Sequence, residues 1–540
     1  MMVLVTGVNM KSSLLGLLSF GLLLVSPSVF SEVVDHPTEI IVAFKKGASF
    51  EKASLTSYKS FNELAVETDA RGALYKLELP QTLISSQYID DLNKREDILW
   101  AEANPVFIGD PRESTPNDPE FAKQFHHKII QSEKAWDIST GVAEVIVAAT
   151  DDGFKLDHED LSAIYYKNEG EIEGNGIDDD ENGYIDDVIG WNFNEGNNNP
   201  DVAGYHGGHG THVAGIIGAD FNNGLGVVGH GTKIKVMPLK FYGTKSWTGE
   251  MILKTYKYAA DNGAKIITTS YNIDGMSSKK IYQEAVAYAY DKGLIIFNSA
   301  GNGNAEQSAR TKNTQILLVA STQSGSDVRK HDLRSRFSNY GYGVDVAAPG
   351  NPIYSTSKSG KYVDMSGTSM AAPNAAGVAA LIWSVHPDYT REQVLATLMK
   401  NSTDVDPINK KYKHKLGNGR IDSFKALSQK VKAPTIRRAW YADGNKTLNI
   451  HIQGILDPKG LTRGGIILED SKGDLISSSL KALNKYEIGT NILRFEVKAG
   501  SGSYRARMNP KAFKGPFGQE LDGDQDGEAG GEFVLDFEVR

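Results

Sequence analysis

Three short stretches, far apart in the chain, hold the residue types needed to turn a hydroxyl into a nucleophile: "TDDG" with Asp151, "HGGHGTHVAG" with His209 and "MSGTSMAAP" with Ser369. A serine hydroxyl attacks poorly unless a histidine takes its proton, and the histidine needs a buried carboxylate to fix its tautomer and stabilise its cation. Each stretch supplies one of these parts. Singly, an Asp after a strand is a common helix cap, a His among glycines a common loop residue, and Gly-Thr-Ser a common tripeptide. Together, in this order and each at a strand–helix junction, they point to nucleophilic catalysis by a serine.

A second set of side chains is acidic. "ATDDGFKLDHEDL" crowds Asp151, Asp152, Asp157, Glu159 and Asp160 behind the apolar run Val145–Ala149, which reads as a buried strand. "GIDDDENGYIDD" places Asp178, Asp180 and Asn182 at alternate positions, then Gly183, then Asp186 and Asp187. Hard oxygens at every second residue, a glycine for the sharp bend and a later carboxylate form the first half of a calcium loop. Asp187 is the expected closing ligand, with the Tyr184 carbonyl between; the full EF-hand spacing is absent, and the other reading is an acidic Asn/Gly turn. "LDGDQDGEAGGEF" repeats the alternation at Asp522, Asp524 and Asp526, with Glu532 downstream. It reads as a further calcium loop or as an acidic β-turn insertion.

These residues need a frame to hold them. Across 113–430, strand-like runs alternate with helical ones: "EVIVAA", "GTHVAGIIGA", "KIKVMPLKF", "MILKTYKYAADNG", "KIITTS", "IYQEAVAYAYDKG", "LIIFNSA" and "ILLVAS". Such alternation predicts an α/β fold with a parallel sheet, whose chemistry sits at the carboxyl ends of its strands. Asp151 and Asn302 both follow an apolar strand. Ahead of this region, 32–112 alternates as a small α+β unit, ending in "ILWAEANPVF" and the polar linker "GDPRESTPNDP"; it is an independent module or a removable pro-segment. Behind it, 431–540 changes to short alternating runs broken by Gly and Asn, the texture of a β domain of sandwich type.

With 540 residues and 40% hydrophobic content, the chain can bury one large core and a second, smaller one. A net charge of -9 without a long basic run sets nucleic acid aside as a partner. Residues 1–31 carry Lys11, the apolar "SSLLGLLSFGLLLV" and small residues Val29 and Ser31, the pattern of a signal peptide cut before Glu32. The mature chain is thus expected to be secreted or held in the cell envelope, with no membrane association after signal removal. Without cysteine, its durability must come from the core or from bound metal.

The motifs "VIVAATDDGFKLDHEDL", "HGTHVAG", "SAGN", "FSNYGYGVDVAAPG", "IYSTS" and "GTSMAAP" together resemble the subtilisin-like serine peptidases, the subtilases, over about residues 113–430. The resemblance implies a subtilisin-like parallel sheet with helices on both faces, preceded by a small α+β pro-segment and followed by a small β-sandwich-like domain. It implies Asp151, His209 and Ser369 as catalytic triad, Asn302 with the Ser369 backbone N–H as oxyanion hole, Ser270 and Gly301 as substrate-binding residues, and His212 as a structural helix residue. It implies a further calcium held by Asp118 of "PNDP", Asp160, and Asn223 with the Phe221, Leu225 and Val227 carbonyls. It also implies that 32–112 is a propeptide, intramolecular chaperone and inhibitor of its own enzyme, cut between about 107 and 116.

The chain departs from the family pattern in places. Asp152 makes "DDG", which with "APNAAG" leans to the kexin and furin branch, whereas "HGTHVAG" and "GTSMAAP" lean to subtilisin. Asn272 stands where relatives carry glycine, and "SARTKN", 308–313, replaces the usual Tyr-Pro pattern at the floor of the specificity pocket. Asp274 reads as a solvated loop acid, or else as a selector of basic substrates. Asp157 and Glu159 read as solvated. The expectation is a secreted, calcium-stabilised serine endopeptidase acting on polypeptides and made as a self-processed zymogen. Beside it stand a catalytically inactive subtilase fold used for surface binding, and a kexin-like processing protease with basic-site preference.

Overall fold

The computed structural model describes residues 32–540 except 46–47, 49–59, 66–72, 80–85, 109–114, 244, 272–275, 308–313, 325–330, 458–464 and 484–485. The signal-peptide stretch, Asn272, Asp274 and Ser308–Asn313 lie outside the described residues. No helix among the described residues is long and apolar enough to cross a membrane.

The N-terminal unit is an antiparallel sheet in the order β2-β3-β1-β4, with one helix. It comprises β1 (Glu32–Phe44), β2 (Ser60–Ala65), β3 (Leu74–Glu78), α1 (Ser86–Asn93) and β4 (Ile98–Ile108). Ile40, Val42, Leu77 and Ile98 form its own small core.

The central unit starts with α2 (Phe125–Ile129), α3 (Ser132–Ile138), β5 (Val145–Asp151), β6 (Trp191–Asn192), α4 (Gly208–Gly218) and β7 (Ile234–Lys240). It continues through α5 (Gly249–Asp261), β8 (Ile266–Thr269), α6 (Lys280–Asp291), β9 (Ile295–Ser299), β10 (Leu317–Gln323), β11 (Leu333–Arg334) and β12 (Val346–Asn351). The hairpin β13 (Ile353–Thr356) and β14 (Tyr362–Met365) leads into α7 (Thr368–Val385), α8 (Arg391–Lys400) and α9 (Ser423–Ser428). The sheet runs β11-β10-β9-β8-β5-β7-β6, with β12 beside β10; every pairing is parallel except β10 with β11.

The period-2 geometry of its strands explains the continuous apolar runs in the sequence. Successive side chains point to opposite faces, and both faces are covered. Val147, Ile266, Ile295 and Val319 pack with Val213 of α4 and Ala371 and Ala375 of α7. Their neighbours Ala148, Ile267, Ile296 and Leu318 pack with Ile252 and Tyr256 of α5 and Ala285 and Val286 of α6. The expected α/β sheet with helices on both faces is therefore observed.

The C-terminal unit contains β15 (Thr435–Ala442), β16 (Thr447–Gln453), β17 (Ile466–Asp470), β18 (Leu480–Ala482), β19 (Ile492–Val497), β20 (Gly502–Met508) and β21 (Phe533–Val539). They form two antiparallel sheets, β15-β16-β19-β18 and β17-β20-β21. Ile436, Leu448 and Ile450 of the first share one buried cluster with Leu468, Ala506 and Val539 of the second.

Candidate active site

Strands β5, β8 and β9 lie side by side, and the candidate residues Asp151, Ser270 and Asn302 sit at or just past their carboxyl ends. Asp151, 8% exposed, faces the first turn of α4, where His209 Nδ1 lies 2.8 Å from each of its carboxylate oxygens. Its Oδ1 also accepts the Asp152 backbone N–H at 2.8 Å. Burial works against a charged His209 imidazole, but the attraction of Asp151, its hydrogen bond and the more distant Asp152 together raise the pKa to about 9.

Asp152 does a different job from its neighbour. Its Oδ1 accepts the Gly210 N–H at 2.9 Å, one of the donors left free at the start of α4. One aspartate thus holds the His209 ring and the next holds the helix that presents it. Burial and the Asp151 charge raise the Asp152 pKa. Gly210 is required by space: a Cβ there would meet the Gly153 carbonyl oxygen at 2.4 Å and the Asp151 Cβ at 2.9 Å. His212, fully buried, donates from Nε2 to the Ile353 and Val363 carbonyls, each at 3.1 Å, and so ties α4 to the β13–β14 hairpin.

Ser369 is the second residue of α7, half-exposed on a turn whose backbone N–H groups have no partner inside the helix. Asn302 is built onto this same turn. Its Oδ1 accepts the Thr368 N–H at 2.9 Å and the Thr368 hydroxyl at 2.8 Å, and the Thr368 Oγ1 accepts the Gly301 N–H at 3.2 Å. With its oxygen committed twice, the amide is oriented unambiguously. Its exposed Nδ2 has no partner among the described residues and lies 3.6 Å from where a Cβ on Gly367 would stand. A cavity of about 400 Å³ opens beside these groups, lined by Asp151, Asp152, His209, Tyr242, Ser270 and Tyr271. A histidine base, a serine at a helix N-terminus and a free amide donor can together add a hydroxyl to a carbonyl.

The candidate metal-binding acids fall into three places. Glu171, Asp178 and Asp180 each bring a carboxylate oxygen within 4.8 Å of the others. Asn182 and Asp187 adjoin this group in different ways. The Asn182 Oδ1 accepts the Tyr184 N–H at 2.8 Å, and its Nδ2 donates to Asp180 and Asp187. Asp187 is fully buried and accepts from the Tyr258 hydroxyl and the Asn168 Nδ2. Glu171 was not among the residues expected from sequence. It precedes the alternating run and enters by folding back, accepting the Asp179, Asp180 and Asp186 N–H groups.

Elsewhere Asp118 and Asp160, 3% and 0% exposed, face the 221–227 loop. Asp118 accepts the Asn222 and Asn223 N–H groups, and Asp160 accepts from the Asn223 Nδ2 and the Val227 N–H, both at 2.8 Å. Burial is the main reason the Asp160 pKa is pushed up to about 6. Two buried carboxylates facing one loop supply the hard oxygen ligands that calcium takes. Asp522, Asp524 and Asp526 also converge within 4.8 Å. Both acids expected to be solvated are exposed, Asp157 beside Lys155 and Glu159 where it accepts the Tyr362 hydroxyl at 2.9 Å.

Comparison with known proteins agrees with this geometry. The subtilase family model matches residues 143–419. Thermitase of Thermoactinomyces vulgaris is 37% identical over 275 residues, covering 50% of this chain and 86% of thermitase. A thermophilic serine proteinase of Bacillus sp. (strain AK1) is 28% identical over 416 residues, 75% of this chain and 92% of that protein. Subtilisin-like protease 1 of Plasmodium berghei (strain Anka) is 35% identical over 277 residues, with 47% of this chain and 45% of that protein covered. The chain belongs to the subtilase family, and it is a serine endopeptidase acting on polypeptides.

Proposed function

We propose that Asp151, His209 and Ser369 are the catalytic triad of a secreted, calcium-stabilised endopeptidase made as a zymogen. The Ser369 Oγ attacks the scissile carbonyl while His209 Nε2 takes its proton. The resulting oxyanion accepts hydrogen bonds from the Asn302 Nδ2 and the Ser369 N–H. His209 then returns the proton to the departing amine, and water repeats the cycle on the acyl-enzyme. Asp151 keeps Nδ1 protonated throughout and stabilises the imidazolium. The grip of both Asp151 oxygens on His209 Nδ1, at 2.8 Å each, is the observation that supports this reading most. Ser270, Gly301 and the cavity beside His209 are assigned to the substrate chain.

In the same reading, residues 1–31 direct export, 32–112 are the inhibitory and chaperoning propeptide, 113–430 the catalytic domain and 431–540 a C-terminal β domain. Glu171, Asp178 and Asp180, with Asn182 and Asp187 around them, and separately Asp118, Asp160 and Asn223, are the residues that would hold structural calcium. Bound calcium would supply charge compensation and cross-linking, and takes no part in the chemistry. A fluorophosphonate probe tests the core of the proposal. It should label the mature enzyme and leave Ser369→Ala unlabelled; labelling that persists in Ser369→Ala would assign the nucleophile elsewhere.

A further inference from the structure

The loop that carries Asn302 has no regular secondary structure, and its backbone includes left-handed residues at Gly301, φ 100°, and Asn304, φ 52°. Its position is set by what lies behind it. Asn339, 6% exposed, accepts the Gly303 and Ala305 N–H groups at 3.1 and 2.8 Å. The same residue donates from Nδ2 to the Ala300 carbonyl at 2.9 Å and from its backbone to the Gly301 carbonyl at 2.8 Å. Farther along, the Tyr340 N–H donates to Ala305, the Gln307 N–H to Tyr340, and the Gly343 N–H to Gln307. Segment 339–343 is therefore the bed on which 300–307 rests.

That bed is gripped from its other side by the C-terminal unit. The Asn491 Nδ2 lies 3.2 Å from the Tyr342 carbonyl, 3.2 Å from the Val344 carbonyl and 2.9 Å from the Asp345 Oδ1. Asp345 is fully buried, and its Oδ2 accepts the Leu318 N–H of β10 at 2.6 Å. The Tyr342 ring packs edge-on to His451, with 5.2 Å between centroids, and lies 5.9 Å from Trp440. Two positions before Asn491, the Gly489 N–H donates to the Thr314 carbonyl at 2.7 Å, just ahead of β10. Losing the Asn491 amide would remove two N–H donors shared among the Asp345 carboxylate and the Tyr342 and Val344 carbonyls, and the segment would shift to recover them.

We propose that the C-terminal β unit takes part in catalysis at one remove: Asn491 is a positioning residue for the oxyanion donor Asn302, acting through 342–345 and Asn339. The proposal rests on the reading of Asn302 as that donor. An oxyanion donor works only within about 2.7–3.1 Å of where the charge develops, so a small displacement of the bed weakens the transition state and leaves substrate binding alone.

The test is a double-mutant cycle in the full-length chain, comparing wild type, Asn491→Ala, Asn302→Ala and the double variant by kcat per titrated active site and by KM. Asn491→Ala should lower kcat about fivefold to tenfold at unchanged KM, and should change kcat less than about twofold when Asn302 is already alanine. Unchanged kcat per active site, or an equal loss in both backgrounds, overturns the proposal. Asn302→Ala costing less than about tenfold sinks the donor assignment itself, which is a separate result from additivity on top of a full Asn302 loss. Should Asn491→Ala yield no titratable enzyme, Asn491→Ser keeps one donor toward Asp345 and is read by the same cycle.

Discussion

Asp151→Asn separates two roles that the proposed mechanism gives to one carboxylate. In the native site the Asp151 Oδ1 accepts the Asp152 N–H at 2.8 Å, and both oxygens lie 2.8 Å from His209 Nδ1. An asparagine would keep its oxygen on the Asp152 N–H and turn its NH2 toward Nδ1. That forces the proton of the neutral ring onto Nε2, where no lone pair remains to take the Ser369 proton. The limiting rate should then fall about 10⁴-fold, a scale that comes partly from a relative in this family. The same change removes the main attraction holding the His209 pKa at about 9. In the wild type, kcat/KM should rise with pH to an inflection near that value, because only neutral His209 is a base. In Asp151→Asn the inflection should move acid, toward or below the ordinary imidazole value of about 6.5. Kinetics on a soluble peptide amide from pH 5 to 10 give both quantities. An inflection that stays put in Asp151→Asn would refute the assignment of Asp151 as the electrostatic partner of the titrating group.

Three further outcomes are expected. A chelator should lower the melting temperature by about 5 °C or more, and Glu171→Gln should reproduce part of that loss; equal melting with and without chelator would remove calcium from the account. Gly210→Ala should lower kcat/KM by at least about tenfold, because its Cβ would stand 2.9 Å from the Asp151 Cβ and push α4 off the carboxylate; near-normal activity would show that the helix is free to shift. His126, His127, His212 and His230 are buried, and among the described residues His126 has no hydrogen-bond partner at either ring nitrogen. Burial lowers all four pKa values, to about 4 for His212 and His230. Groups depressed in the folded state support stability above the unfolded value near 6.5 and lose it as pH falls toward the folded one, by about 2 kcal/mol per histidine at pH 5. Urea midpoints at pH 7 and pH 5 measure this, and His126→Phe should remove one histidine's share of the difference; a pH-independent midpoint in the wild type would contradict it.

Much of the molecule is legible in its sequence, for local reasons. The apolar stretches Val145–Ala149, Ile266–Ile267 and Leu294–Phe297 are unbroken because both faces of the sheet are covered, and the helices between them declare their period. Asp151, His209 and Ser369 stand out because their glycine-rich neighbours mark tight backbone approach at strand–helix junctions. The motif signal does not extend to residues that act through long-range contacts. Glu171 joins Asp178 and Asp180 by folding back over the loop, outside the alternation that announced them. Thr368 orients Asn302 across 66 residues, and Asn491 reaches Asp345 across 146.

The five acids of "ATDDGFKLDHEDL" divide along the same line. Asp151 is picked out only in company, because its strand-end motif and those around His209 and Ser369 together resemble the subtilase pattern. Only the folded chain separates the rest, because a carboxylate takes its role from the donors brought to it. Asp152 becomes the cap of α4 and Asp160 a buried group facing the 221–227 loop, while Asp157 and Glu159 both stay exposed, the one beside Lys155 and the other on the Tyr362 hydroxyl.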